Sequence, residues 1–118
     1  MPGILKGWVD RVFAMGRFYG GSRKYKTGLK HGKRALLSLT TGGLQAAYDK
    51  DGFNGDIDAI LRPIQRGMLE FVGFDVLRPN IVFGPARLSA EERAAALAAW
   101  RDHLAAVESE APVDVGRY

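Results

Sequence analysis

Two threonines and two glycines, Thr40-Thr41-Gly42-Gly43, close the apolar run that begins at Ala35. These residue types suit binding chemistry. Glycine has no Cβ, so a flat ring or a phosphate can come close to its amide. Free N–H groups donate to carbonyls or anionic oxygens, and threonine hydroxyls add donors that rotate to fit. A plain strand-to-loop turn is an equally good reading of these four residues. Other chemistries find little support. The chain has no Cys, which excludes disulfides and thiolate metal sites. Its two histidines, His31 and His103, are too few for a His-rich centre, and no metal site is expected.

The 118 residues are enough for one domain with a modest core. Net charge is +4, and six Lys or Arg lie between Arg23 and Arg34, with Tyr25 among them. Basic residues around an aromatic can bind nucleic acid. No nucleic-acid motif accompanies them, so a solvated loop is the favoured reading; contact with a phosphorylated cofactor is a third. No apolar run reaches the ~20 residues of a membrane span. The start Met1-Pro2-Gly3-Ile4 has no signal-peptide character, and the cytoplasm is the expected location.

Residues Ile4, Leu5, Trp8, Val9, Val12 and Phe13 fall at helical spacing, predicting a helix over 2–15. Residues 16–32 hold five glycines and read as loop. A buried strand is expected over 34–40 and a loop to about 55. Ile57, Ile60, Leu61, Ile64, Met68, Phe71 and Val72 then mark one helix face, with Asp58, Arg62, Gln65 and Glu70 directed elsewhere. Asp56 suits its N-cap, Pro63 should kink it and Gly73 should end it. A second strand is expected over 75–83, interrupted at Pro79. Ser89 and Glu92 form a capping box before a helix over 89–108, its seam at Leu97, Trp100, Leu104 and Val107. Residues 1–108 then make the domain and 109–118 a tail, frayed or draped. The α–β–α–β–α order implies a parallel sheet with crossover helices. Two strands for three helices resembles the latter part of a larger doubly wound domain, whose ligands bind beyond the carboxyl ends of strands.

Several segments carry a resemblance in register: "PGILKGWVDRVF", "LSLTTGG", "AYDKDGFNGDIDAILRPIQRGMLEFVGFDVL" and the spacing from Arg93 to Trp100. Together they resemble the NAD(P)H:quinone oxidoreductase family, flavodoxin-like flavoproteins of the DT-diaphorase type. The resemblance implies an α/β fold, a partial flavodoxin-like doubly wound parallel sheet with the last two strands and three helices. It implies FAD, with FMN as the alternative flavin, NAD(P)H as co-substrate, a quinone acceptor and a homodimer. The family's first three strands, its flavin-diphosphate cradle and its aromatic loop have no counterpart in the chain. The expectation is therefore a fragment with little reductase activity alone.

Residue by residue, Thr40, Thr41, Gly42 and Gly43 match the family segment beside the isoalloxazine ring. Tyr48 matches a tyrosine whose hydroxyl reaches the pyrimidine side of that ring, where a donor stabilises developing negative charge. Asn54 stands where animal relatives place a His; it can donate a hydrogen bond but cannot titrate, and turn chemistry also explains it. Tyr19 and Phe71 match aromatics that sandwich nicotinamide or quinone, although Phe71 also suits the helix core. Gly21 replaces a second tyrosine of that pocket. Arg93 matches an arginine on the dinucleotide part of FAD, and it shares the expected inward face of the last helix with Leu97 and Trp100. An inward arginine needs an acceptor, unless it snorkels. Alternative readings are a sister flavoprotein, such as an azoreductase or an ancillary subunit of a potassium-efflux system, or a non-catalytic binding module whose basic loop meets nucleic acid.

Overall fold

Pro2, at φ −56°, leads into helix α1 (Gly3–Val12), where its missing N–H goes unneeded. The computed structural model describes residues 1–116; positions 117 and 118 of the expected tail lie outside the described residues. Helix α1 ends before residue 15, because Phe13 has left helical dihedrals at φ −81°, ψ 61°. Further on come strand β1 (Arg34–Ala35), strand β2 (Ser38–Thr41) and helix α2 (Ile57–Ile64). Strand β3 (Asp75–Val76), strand β4 (Asn80–Phe83) and helix α3 (Ala90–Ala106) complete the chain. Each expected strand is thus two short ones. The chain divides into two compact units, residues 1–35 with 62–76 and the end from Asp114, and residues 36–61 with 77–113.

In the first unit β1 pairs parallel with β3, Arg34 opposite Asp75 and Ala35 opposite Val76. Val72 and Val76 are its buried apolar residues. The loop before β1 is fixed by backbone packing on backbone. A Cβ on Gly28 would lie 2.5 Å from the Val72 carbonyl, and one on Gly73, at φ +104°, would lie 2.8 Å from the Gly28 backbone. The Lys30 N–H donates to the Val72 carbonyl at 2.9 Å. Just after α1, Phe13 stacks on Phe18 at 5.3 Å and meets Trp8 edge to face at 5.8 Å, each pair contributing on the order of 1 kcal/mol. Ile4, Leu5 and Trp8 are exposed in spite of their apolar stripe.

The segment from Ile57 to Val72 follows the sequence with one correction. The Asp56 carboxylate accepts from the Asp58 N–H at 2.9 Å, the expected cap. Pro63 lies inside α2, and regular α-helix stops one residue later. A π-helical turn (Gln65–Leu69) and a 3-10 turn (Glu70–Val72) follow, ended by Gly73 in the left-handed region. Gln65, expected to face outward, is only 5% exposed. It lies four residues after the buried Leu61, so helix spacing sets both on one side.

In the second unit β2 and β4 are parallel, from Ser38 opposite Asn80 to Thr41 opposite Phe83. Strand β4 begins after Pro79, which has no N–H for the ladder; the Asn80 N–H donates to Leu37 instead, at 2.8 Å. Leu61 and Leu77 are buried. The capping box of α3 forms as expected: the Ser89 hydroxyl accepts from the Glu92 N–H at 3.1 Å, and the Glu92 carboxylate accepts from the Ser89 N–H at 2.7 Å. Its expected seam is corrected, since Leu97 is 69% exposed and no residue of α3 is buried. Within this unit the apolar side of α3 has little to pack on. After the helix, Glu110 meets His103 Nε2 at 2.7 Å. Among the described residues no helix is long and apolar enough to cross a membrane.

Candidate functional site

Strand β2 alternates faces at its carboxyl end. Thr40 is exposed and Thr41 buried, as the two-residue period of a strand requires. The buried Thr41 hydroxyl donates to the Gly43 carbonyl at 2.9 Å, which folds the chain back at once. The Gly84 N–H donates to the Thr41 carbonyl at 2.9 Å, so β4 ends beside β2. Beyond Gly42 the space where a Cβ would project is open. Neither the Gly42 nor the Gly43 N–H has a partner among the described residues.

A 3-10 turn over Gln45–Tyr48 returns the chain toward Gly43. Gly52 packs against the Ala46–Ala47 backbone, and the Asn54 N–H donates to the Ala47 carbonyl at 2.7 Å. The outcome is a cluster. A Cβ on Gly43 would stand 3.0 Å from Tyr48 Cε2 and 3.3 Å from Asn54 Nδ2. The structure therefore brings Gly43, Tyr48 and Asn54 together. Phe83, from the end of β4, lies 5.8 Å from the Tyr48 ring. The sequence reading missed Phe83; its place beside Thr41 follows from strand register.

Thr40 opens on a groove of about 520 Å³, which Ser38, Asn80, Arg93, Leu97 and Trp100 also line. Arg93 belongs to the groove but is exposed, contrary to its expected inward burial. Its Nη1 donates to the Leu88 carbonyl at 2.5 Å. The first turn of α3 leaves the guanidinium in solvent, which removes the need for a buried acceptor.

In the first unit Tyr19 and Phe71 meet edge to face, with centroids 5.0 Å apart and planes at 62°. Both are half-buried. They border a hollow of about 290 Å³ that includes Lys6, Phe13 and Met68. Phe71 takes a second edge contact from Tyr25 at 5.5 Å, and the Arg66 guanidinium covers the Tyr25 ring at 4.4 Å. Arg66 Nη1 donates to Glu70 at 2.6 Å. Tyr25 has φ +53°, a conformation that costs an L-residue roughly 1 kcal/mol. The sequence signalled Tyr25 as the aromatic of the basic run; the π turn that aligns Arg66 with it left no such mark. Among the described residues no group of three or more His, Cys, Asp or Glu is placed to hold a metal ion.

The donor set at the end of β2 fits a flavin: two unpartnered amides with open space beside Gly42, a phenol and a carboxamide. Comparison with known proteins gives the family. A family model described as flavodoxin-like fold matches residues 1–104. Ribosyldihydronicotinamide dehydrogenase [quinone] of Homo sapiens is 47% identical over 113 residues, 96% of this chain and 49% of that protein. NAD(P)H dehydrogenase [quinone] 1 of Cavia porcellus is 41% identical, over 96% of this chain and 41% of that protein. A solved Klebsiella pneumoniae structure described as a quinone reductase superposes with a TM-score of 0.87 at 38% identity, covering 96% of this chain and 47% of that one. The chain spans about half the length of the curated relatives it matches.

Proposed function

The chain belongs to the flavodoxin-like fold family, and on that premise we propose that it serves a flavin-dependent quinone reductase. A bound flavin, FAD before FMN, would supply a two-electron carrier between a reduced nicotinamide compound and a quinone. The observation that carries this reading is the cluster of Gly43, Tyr48 and Asn54 at the carboxyl end of a parallel strand. Such an end is where α/β sheets take their ligands.

The residues divide the work. Gly42 and Gly43 offer amides to ring heteroatoms, with Thr40 and Thr41 beside them. Thr41 spends its hydroxyl on holding the turn, so its part is to shape the loop. Tyr48 donates a hydrogen bond where negative charge gathers on reduction, and such donors act most strongly when fixed in advance. The Phe83 ring helps to fix it. Asn54 donates without titrating, so it stabilises charge but delivers no proton. Arg93, exposed on the groove that Thr40 shares, is available to an anionic part of a dinucleotide. Tyr19 and Phe71 present an aromatic wall for nicotinamide or quinone. The same reading takes the protein to be a cytoplasmic homodimer, and sedimentation tests the assembly.

Relatives' names support a quinone as acceptor and divide between ribosyldihydronicotinamide and NAD(P)H as donor. The test is titration of the purified protein with FAD and FMN, followed by quinone reduction with NADPH. Because the chain has about half its relatives' length, the rate should be small, and its dependence on Gly43 is decisive. Gly43→Val should abolish flavin binding and any rate above free flavin, with circular dichroism unchanged. Equal flavin binding by wild type and variant sinks the reading.

A further inference from the structure

The basic run from Arg23 to Arg34 is the strong feature of the sequence that the strand-end cluster leaves unused. In the first unit two of its lysines border a hollow of about 570 Å³, lined among others by Lys24, Tyr25, Lys26, Arg66, Glu70 and Asp114. We propose that this hollow receives the carboxylate or sulfonate of an acid-substituted aromatic acceptor, so that the protein prefers quinones bearing one acidic group to neutral ones. This rests on the reading of Tyr19 and Phe71 as the wall for the acceptor ring, and it names the class of acceptor that the wall serves.

Charge comes first. Three cations face two carboxylates, which leaves one net positive charge in the lining. That charge balances a monoanion, whereas a phosphate ester, at about −1.5 to −2, would leave the hollow negative. Both carboxylates are engaged locally. Glu70 accepts from Arg66 at 2.6 Å, and Asp114 accepts from the Gly116 N–H at 2.9 Å. Lys24 and Lys26 have no ion pair among the described residues. Arg66 is short of acceptors: Glu70 is its one hydrogen-bond acceptor among the described residues, and its Nε is buried without a partner. A guanidinium has five donors in a planar fork that matches a carboxylate, and lysines add point charges.

Position comes second. Tyr19 touches Phe71 at 5.0 Å, Phe71 touches Tyr25 at 5.5 Å, and Tyr25 carries Arg66 at 4.4 Å. A flat acceptor at the first pair is thus two ring contacts from the cations, and a substituent at its edge is carried toward them. Wall and hollow are also adjacent in the chain, since Phe71 borders one and Glu70 the other. The left-handed φ of Tyr25 turns the chain so that Lys24 and Lys26, on either side of it, both line the hollow. Strain held at such a point is characteristic of ligand clamps.

The test is calorimetric titration of the purified protein with anthraquinone-2-sulfonate, anthraquinone-2-carboxylate and neutral 2-(hydroxymethyl)anthraquinone, each at two salt concentrations. Both acids should bind at least about tenfold more tightly than the neutral compound, with the advantage falling as salt rises. The double variant Lys24→Ala/Lys26→Ala should lose most of that advantage. Lys33→Ala, from the same basic run but outside the hollow, should keep it. Asp114→Asn, which removes a negative charge from the lining, should increase it. Equal binding of acids and neutral compound, an advantage that survives the double variant, or displacement of the sulfonate by equimolar ADP overturns the proposal. If the preference for acids stands while no quinone, acidic or neutral, is ever reduced, it is the proposed function that falls.

Discussion

The two units build their candidate sites from different material. In the second unit the site is largely backbone: two unpartnered glycine amides at a strand end, with Tyr48 and Asn54 brought in by a short turn. In the first unit it is side chains, the series Tyr19, Phe71, Tyr25 and Arg66, carried by a loop and an irregular helix end. The contrast has a physical root. A backbone site needs space without a side chain, which only glycine provides, so it leaves a mark in the sequence. A side-chain site needs distant residues to converge, and that is decided by the phase of a helix and the path of a loop.

Four measurements test that contrast. The largest effect is expected in the first unit, where the loop leans on the helix end. Gly28→Ala sets a Cβ 2.5 Å from the Val72 carbonyl and should destabilise the protein by about 3 kcal/mol. The reading is a lower urea midpoint with unchanged m. A loss below about 1 kcal/mol would show that loop and helix end separate readily, leaving the aromatic series without a firm base.

Next is Tyr48→Phe in the second unit. Reductase rate should fall by up to about 10²-fold while urea stability stays near wild type, because the ring contact with Phe83 remains. An unchanged rate would leave the backbone alone responsible for that site. Ser89→Ala should cost about 1 kcal/mol, since it removes one half of the capping box. A loss that small would agree with a helix whose apolar side is little packed, and one of several kcal/mol would mean that α3 stabilises far more than its exposure suggests.

The smallest effect concerns pH. The Glu91 carboxyl is held below its usual range by its own backbone N–H and then by the Ser89 hydroxyl. Its folded pKa is therefore the lower one, so its contribution is present above the unfolded value and is lost as pH falls through the folded value. Thermal melts of Glu91→Gln should show a shallower decline on acidification than wild type. Parallel declines would remove this carboxyl from the account.

Much of the fold was legible because its determinants are local. Ser89 and Glu92 form a reciprocal cap whatever surrounds them, Gly73 ends a helix because it adopts a positive φ freely, and Pro79 cannot donate to a ladder. Gln65 was misread because its polar type was taken to point outward, whereas its spacing of four from Leu61 sets it on the buried side. Leu97 and Arg93 were expected to face inward because periodicity identifies an apolar side but says nothing about what covers it. At the candidate site, Thr40 to Gly43 stood out through residue type alone. Phe83 and Arg66 did not, since their relevance comes from register and from a stacking contact.

The amino-acid order by itself settled the caps at Asp56 and Ser89, the stop at Gly73 and the pair of glycines after one strand, because each follows from short-range sterics and hydrogen bonding, and the alternation of helices and strands carried the parallel pairing. Tertiary structure alone decided that Asn54 and Tyr48 converge on Gly43, and that Arg66 lies over Tyr25. Those contacts depend on chain closure over many residues, where small shifts in helix phase or loop path change which side chains meet.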